Sequence, residues 1–281
     1  MKLPRPSFGD SSRSLEELSD INRREEKARG RLLDEFSLDE LFLNLSSKDS
    51  ISKARVRAAL PAHGDREIVA VTLRLVNDAA ARYPTFCMQW QRKAIGYLTS
   101  IGAEAMSRLG SLGIEVPDGL DFVGLEAEGD SSRHALIRAR KIGDFAGVKA
   151  RFLDFRADSI GDFALRKAEC CNVQVRAAGH RLGEDGSDIT LRAREAGDWL
   201  MLRSRRCFVD ARQVGSLAGL DSNGLEIHVN RAGTELCERA MNVVIHLHRG
   251  ARSLGTRGSG VIYVRRGSPS WRTCFRVEKM R

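Results

Sequence analysis

From Pro117 onward the chain breaks into short runs of alternating apolar and polar residues, separated by glycines and acidic turn residues. A period of two turns successive side chains to opposite faces of a strand, so this texture commits more than half of the chain to β-structure. Candidate strands cover 134–140, 148–156, 171–177, 188–194, 225–229, 260–266 and 271–277. The segment 179–187, GHRLGEDGS, reads as a hairpin loop between two of them. Antiparallel pairing into a sheet or barrel is the expected arrangement, and no repeat of fixed period is evident that would favour a solenoid or propeller.

The region before Pro117 is helical in character. Ser14–Glu17 and Ser37–Glu40 both have the capping-box pattern, followed by Leu15, Leu18 and Ile21 in the first case and by Leu38, Leu41, Phe42 and Leu45 in the second. Val69, Val71, Leu73 and Leu75 alternate with polar or small residues and predict one strand over 68–76. Phe86, Trp90, Tyr97, Leu98, Ile101 and Ala105 predict one long amphipathic helix over 85–109, closed by Gly110 and Gly113. The expected fold class is α+β: a charged helical arm (1–60), a strand and long helix (61–116), and a basic, antiparallel β-rich region (117–281) packed on that helix.

Charge is distributed unevenly. Residues 200–281 hold 15 Lys+Arg against 6 Asp+Glu, which accounts for the whole net charge of +9. Of the 46 basic residues 37 are arginine, whose planar guanidinium matches phosphate in a two-pronged way. Within the candidate strands Arg138 and Arg140 share one face, as do Arg272 and Arg276, and Arg249 to Arg266 places five arginines among glycines. These features point to RNA or single-stranded nucleic acid binding without catalysis. Phosphate contacts are expected from Arg203, Arg206, Arg252, Arg257, Arg265, Arg266, Arg272 and Arg276, and base stacking from Tyr263 or Trp271. A protein-interaction scaffold using the N-terminal helices is the third reading.

His246 and His248 flank Leu247 and would share a face of a strand, with His228 as the one nearby third ligand; the expectation is no metal and no cofactor. The six cysteines lack zinc-module spacing and read as free thiols. Neither a secretory h-region nor an apolar span is present, which makes a cytoplasmic or nuclear location the expected one.

Three family resemblances accompany these readings. Arg203, Arg205 and Arg206 followed by Asp221, Ser222 and Gly224 resemble the arginine cluster and turn of PilZ domains, with one residue fewer in the turn; the resemblance implies a cyclic dinucleotide sensor built on a barrel. Thr234–Leu247, read as a helix ahead of the glycine-rich stretch, is similar to the RNA-binding RAMP proteins of CRISPR systems, although VVIHLH is equally good strand. Val69 to Asp78, read as a strand ending in aspartate, resembles the viral movement-protein class.

Overall fold

The computed structural model describes residues 31, 33–45, 51–83, 88–111, 113–255, 257–265 and 275–279. The chain divides into two compact units, Met1–Phe36 and Ser37–Arg281. Of the first, residue 31 and residues 33–35 are helical; the Ser14–Glu17 pattern lies outside the described residues.

The second unit opens with four helices: α1 (Leu38–Asn44), α2 (Lys53–Ala59), α3 (Asp65–Arg82) and α4 (Gln89–Arg108). Ser37 and Glu40 form the expected capping box at the start of α1, the Ser37 hydroxyl accepting from the Glu40 amide and the Glu40 carboxylate accepting from the Ser37 amide. The strand expected over 68–76 is helix instead. Ile68, Val71, Thr72, Leu75, Val76 and Ala79 are all buried at three- and four-residue steps, and the alternation of Val69, Val71, Leu73 and Leu75 was incidental to that stripe. Nor is α4 an amphipathic helix with a solvated face, because every residue from Ala94 to Ala103 is buried. It lies against the first turn of the β-region, where Ser100 Oγ donates to the Leu125 carbonyl (2.7 Å) and Thr99 Oγ1 accepts from the Gly124 amide (2.8 Å). Gly96 has no room for a side chain, since a Cβ would stand 2.7 Å from Phe122 Cβ.

The β-region is a parallel β-solenoid, which overturns the expected antiparallel sheet or barrel. Its strands are β1 (Ile114–Glu115), β2 (Ala135–Arg138), β3 (Lys141–Ile142), β4 (Leu153–Ile160), β5 (Asn172–Ala178), β6 (Thr190–Ala196), β7 (Phe208–Val214), β8 (Glu226–Ala232), β9 (Ala240–Ala251), β10 (Gly258–Val264) and β11 (Arg276–Lys279). They form one sheet in chain order, with β3 pairing β4 off the main path, and every pairing is parallel. The register advances by 18 residues per coil: Asn172 faces Thr190, Thr190 faces Phe208, and Phe208 faces Glu226. Coils begin at Phe145, Phe163, Arg181, Trp199, Leu217 and Glu235, and positions within a coil are numbered from these residues. A five-residue insertion, 130–134, lengthens the preceding coil.

Position 17 is glycine in Gly161, Gly179, Gly197, Gly215 and Gly233, where successive coils press backbone on backbone. Position 18 carries a ladder of side-chain acceptors. The Asp162 amide donates to Asp144 (2.9 Å), the His180 amide to Asp162 (2.7 Å), the Asp198 amide to His180 Nδ1 (3.0 Å), and the Ser216 amide to Asp198 (2.7 Å). Positions 1, 3, 5 and 8 adopt left-handed φ, for instance Phe163, Leu165, Lys167 and Cys170. No valine, isoleucine or threonine occupies those four positions in any of the six coils, as the steric cost of left-handed φ for branched side chains requires. The alternating hand aims successive amides in opposite directions along the stack: Leu165 donates to Ala146 O on the previous coil (2.7 Å), and Lys167 to Glu184 O on the next one (2.8 Å). The segment 179–187 is such a run between two parallel strands, not a hairpin.

The core is a set of columns running through the coils. Phe155, Val173, Leu191, Val209, Ile227 and Ile245 are buried at position 11, and Leu153, Cys171, Ile189, Cys207, Leu225 and Val243 at position 9. Position 3 alternates large and small along the stack, through Gly147, Leu165, Gly183, Met201, Gly219 and Cys237. A Cβ on Gly183 would meet Met201 Sδ at 2.5 Å, so each glycine accommodates the larger residue of the next coil.

Candidate nucleic-acid interface

Strand period two sends positions 10, 12 and 14 outward, and parallel register stacks equal positions of neighbouring coils about 4.8 Å apart. Position 14 is thereby arginine on three successive strands, Arg176, Arg194 and Arg212. Position 12 adds Arg138, Arg156 and Arg192 on the same face. Among the described residues Arg176 and Arg194 have long ion pairs, at 3.7 and 3.8 Å to Asp158 and Glu195, while none is found for Arg156, Arg192, Arg212, Arg231 or Arg249.

These rows border a shallow depression lined by Arg194, Arg212, Arg231 and Arg249 together with Glu195, Gln213 and Asn230. It shares Gln213, Arg231 and Arg249 with a wider groove of about 680 Å³ that reaches Arg252, Ser216 and Asp198. The result is one continuous trough across β6–β9 in which five guanidinium groups face two carboxylates.

Of the arginines expected at the site, Arg252 lines this trough. Arg257 is exposed just before β10, and Arg265 is exposed at its end. Arg276 on β11 pairs with Glu278 at 2.8 Å. Tyr263 stands on the outer sheet face, stacked on His246 with ring centroids 5.0 Å apart. Arg266, Trp271 and Arg272 lie outside the described residues.

Arg203 and Arg206 belong to the irregular run between β6 and β7, away from the sheet rows. Arg203 Nε donates to Asp185 Oδ1 (2.6 Å) and its Nη2 to the buried Glu184 (2.7 Å), while Arg206 Nε donates to Asp188 Oδ1 (2.8 Å). Hydrogen bonds from these arginines hold the Asp185 and Asp188 carboxyls below the usual carboxylate range. Two more residues of the dinucleotide reading are also engaged: Asp221 pairs with Arg239, and Ser222 is buried and donates to the Met201 carbonyl. The strands of 203–264 pair in parallel, not as a barrel; 240–247 is strand, not helix; and 69–78 lies within α3. The fold features behind the three resemblances are therefore corrected.

Sequence reading missed Arg192, Arg194 and Arg231 and did not join them to Arg212 and Arg249. The signal was their spacing, close to 18, which places them on neighbouring coils. The histidines also pair differently from expectation. His228 and His246 face each other across β8 and β9 with ring centroids 4.1 Å apart, and Glu226 Oε1 stands 2.7 Å from His228 Nε2 and 4.0 Å from His246 Nε2. Burial, then the neighbouring His228, push His246 below the ordinary histidine pKa, with Glu226 opposing them. No helix among the described residues is long and apolar enough to cross a membrane.

Comparison of the chain with known protein families, curated proteins and solved structures finds no match.

Proposed function

We propose that the outer sheet face of the solenoid binds an extended polyanion, with single-stranded RNA as the class, through Arg192, Arg194, Arg212, Arg231, Arg249 and Arg252. The reading rests on the like-charge row Arg176–Arg194–Arg212. Like charges directly opposite one another on neighbouring strands are destabilising. The same coils avoid that elsewhere, since position 5 runs Asp185, Arg203, Asp221, Arg239 and joins Arg203 to Asp185 and Arg239 to Asp221. Arg176 and Arg194 reach Asp158 and Glu195 only at 3.7 and 3.8 Å, and no ion pair is found for Arg212 among the described residues, so the row keeps guanidinium charge available to an external anion, and the regular rise of the coils suits a linear one.

Fluorescence anisotropy of a labelled single-stranded RNA, titrated at several salt concentrations, tests the reading. Affinity should fall with salt at a log-log slope of about 0.7 per phosphate contact. Arg212→Ala and Arg231→Ala should weaken binding and flatten that slope, whereas Arg203→Ala, whose guanidinium is already engaged, should leave both unchanged. Absence of binding at low salt would refute the proposal, as would equal sensitivity to Arg203→Ala.

A further inference from the structure

The outer sheet face carries a second constellation that polyanion binding leaves unused. Glu226, His228 and His246 each offer a donor atom, and the three atoms lie within 4.8 Å of one another. Glu226 and His228 are two residues apart on β8, hence on the same side of the strand, and parallel register brings His246 of β9 directly opposite His228. We propose that these three side chains form a binding site for a divalent transition-metal ion, zinc being the expected occupant.

The donor set fits that class. Two imidazole nitrogens and one carboxylate oxygen are borderline ligands that suit zinc, cobalt(II) or nickel(II), whereas calcium and magnesium take oxygen ligands. Metal–ligand distances of about 2.0–2.2 Å in a tetrahedron place donors about 3.3 Å apart. The observed separations bracket that value: 2.7 Å for Glu226–His228 and 4.0 Å for Glu226–His246. Small side-chain rotations therefore bring the three donors onto one ion without moving the strands. Three protein ligands leave a fourth position for water or an anionic group.

The surroundings restrict the rings before any ion arrives. Phe208 lies against His228 with ring centroids 5.3 Å apart, and Tyr263 stacks on His246 at 5.0 Å, so the two imidazoles sit inside an aromatic column crossing β7 to β10. Locking ligand rotamers by packing lowers the ordering cost of coordination. All three ligands are half-buried, open enough for an ion to enter. His248, two residues beyond His246, lies on the same side of β9 but outside the cluster of three donors.

The test uses the full chain under reducing conditions after removal of metal with a chelator. Zinc titration by calorimetry should give one ion per chain. Glu226→Gln, His228→Ala and His246→Ala should each weaken binding at least tenfold, while His180→Ala, on a turn between β5 and β6, should not. The cobalt(II) form should show d–d bands without a thiolate charge-transfer band. Thermal melting of the metal-free variants reports whether they fold. If an alanine variant melts early, Glu226→Gln alone, which keeps the size of an outward-facing side chain, decides the matter. Failure of zinc to bind, retention of tight binding in the His228→Ala/His246→Ala double variant or in Glu226→Gln, or a thiolate band pointing to cysteine ligands would each overturn the site.

Discussion

Gly179→Ala puts one methyl group where two coils touch. A Cβ at Gly179 would stand 2.6 Å from both the carbonyl carbon and the oxygen of Gly161, and it would also collide with the Asp162 carboxylate oxygen that accepts from the His180 amide. Neither neighbour is free to retreat. The Gly179 amide donates to Ile160 O (2.9 Å) and the Gly161 amide to Ile142 O (3.1 Å), so this backbone is tied into the coils on both sides. Overpacking against fixed atoms costs about 1–3 kcal/mol, and loss of the His180–Asp162 hydrogen bond adds about 1 kcal/mol. A total of about 2–4 kcal/mol corresponds to a fall in Tm of roughly 5–15 °C for a domain of this size. Differential scanning calorimetry of Gly179→Ala should show that loss. Gly64→Ala, where nothing lies within 4 Å of the added Cβ, should lose less than about 1 kcal/mol at its helix N-cap. Equal melting temperatures for wild type and Gly179→Ala would refute the close stacking of coils at position 17.

Two further outcomes follow from ionisable groups. Burial pushes the Cys171 thiol up to about 12 and raises Cys207 and Cys237 as well, so these three should stay unlabelled by a disulfide reagent at pH 8 until the chain unfolds; mass spectrometry showing them labelled as fast as half-buried Cys170 would contradict that. The Asp185 carboxyl, hydrogen-bonded by Arg203, has a folded pKa below its unfolded value. Its contribution to stability is therefore present above about pH 4, where the unfolded aspartate is ionised, and disappears as pH falls through the lower folded value. The urea midpoint of Arg203→Gln should lie below that of wild type at pH 7, and the gap should narrow at pH 3; a gap independent of pH would count against the ion pair.

Much of the strand placement was legible in the chain. The runs at 171–177 and 188–194 fall within a residue or two of β5 and β6, and 225–229 covers the first half of β8, because a parallel strand with one wet face still alternates. Pairing was not legible from alternation, which is the same for either strand direction. What carried it was the recurrence of Gly161, Gly179, Gly197, Gly215 and Gly233, which read one at a time looks like ordinary turn punctuation. The period is hard to recognise by identity, because a core column such as Leu153, Cys171, Ile189, Cys207, Leu225 and Val243 conserves burial and not residue type. The charged face was readable as a pattern, but the free arginines were not: Arg203 finds Asp185, 18 residues away, and only the coil reveals the contact. Helix α3 was misread because Val69, Val71 and Leu75 satisfy both periods, and the longer spacing through Ala79 settles it.

The most direct test of the coil is to remove whole turns of it. Excision of residues 181–216 takes out two coils, 36 residues, and joins His180 to Leu217 at the same phase. The new neighbours match: Leu165 meets Gly219 in the column that alternates large and small, and Lys167 meets Asp221 in the column of opposite charges. Excision of 181–207 removes fewer residues, 27, but shifts every later residue by half a coil, so strand segments such as Phe208–Val214 fall where the irregular left-handed runs belong. Circular dichroism with thermal melting should show the shorter chain lacking 181–216 folded, β-rich and cooperative, and the chain lacking 181–207 without a melting transition. A folded 181–207 deletion, or loss of structure in both, would contradict an 18-residue parallel coil.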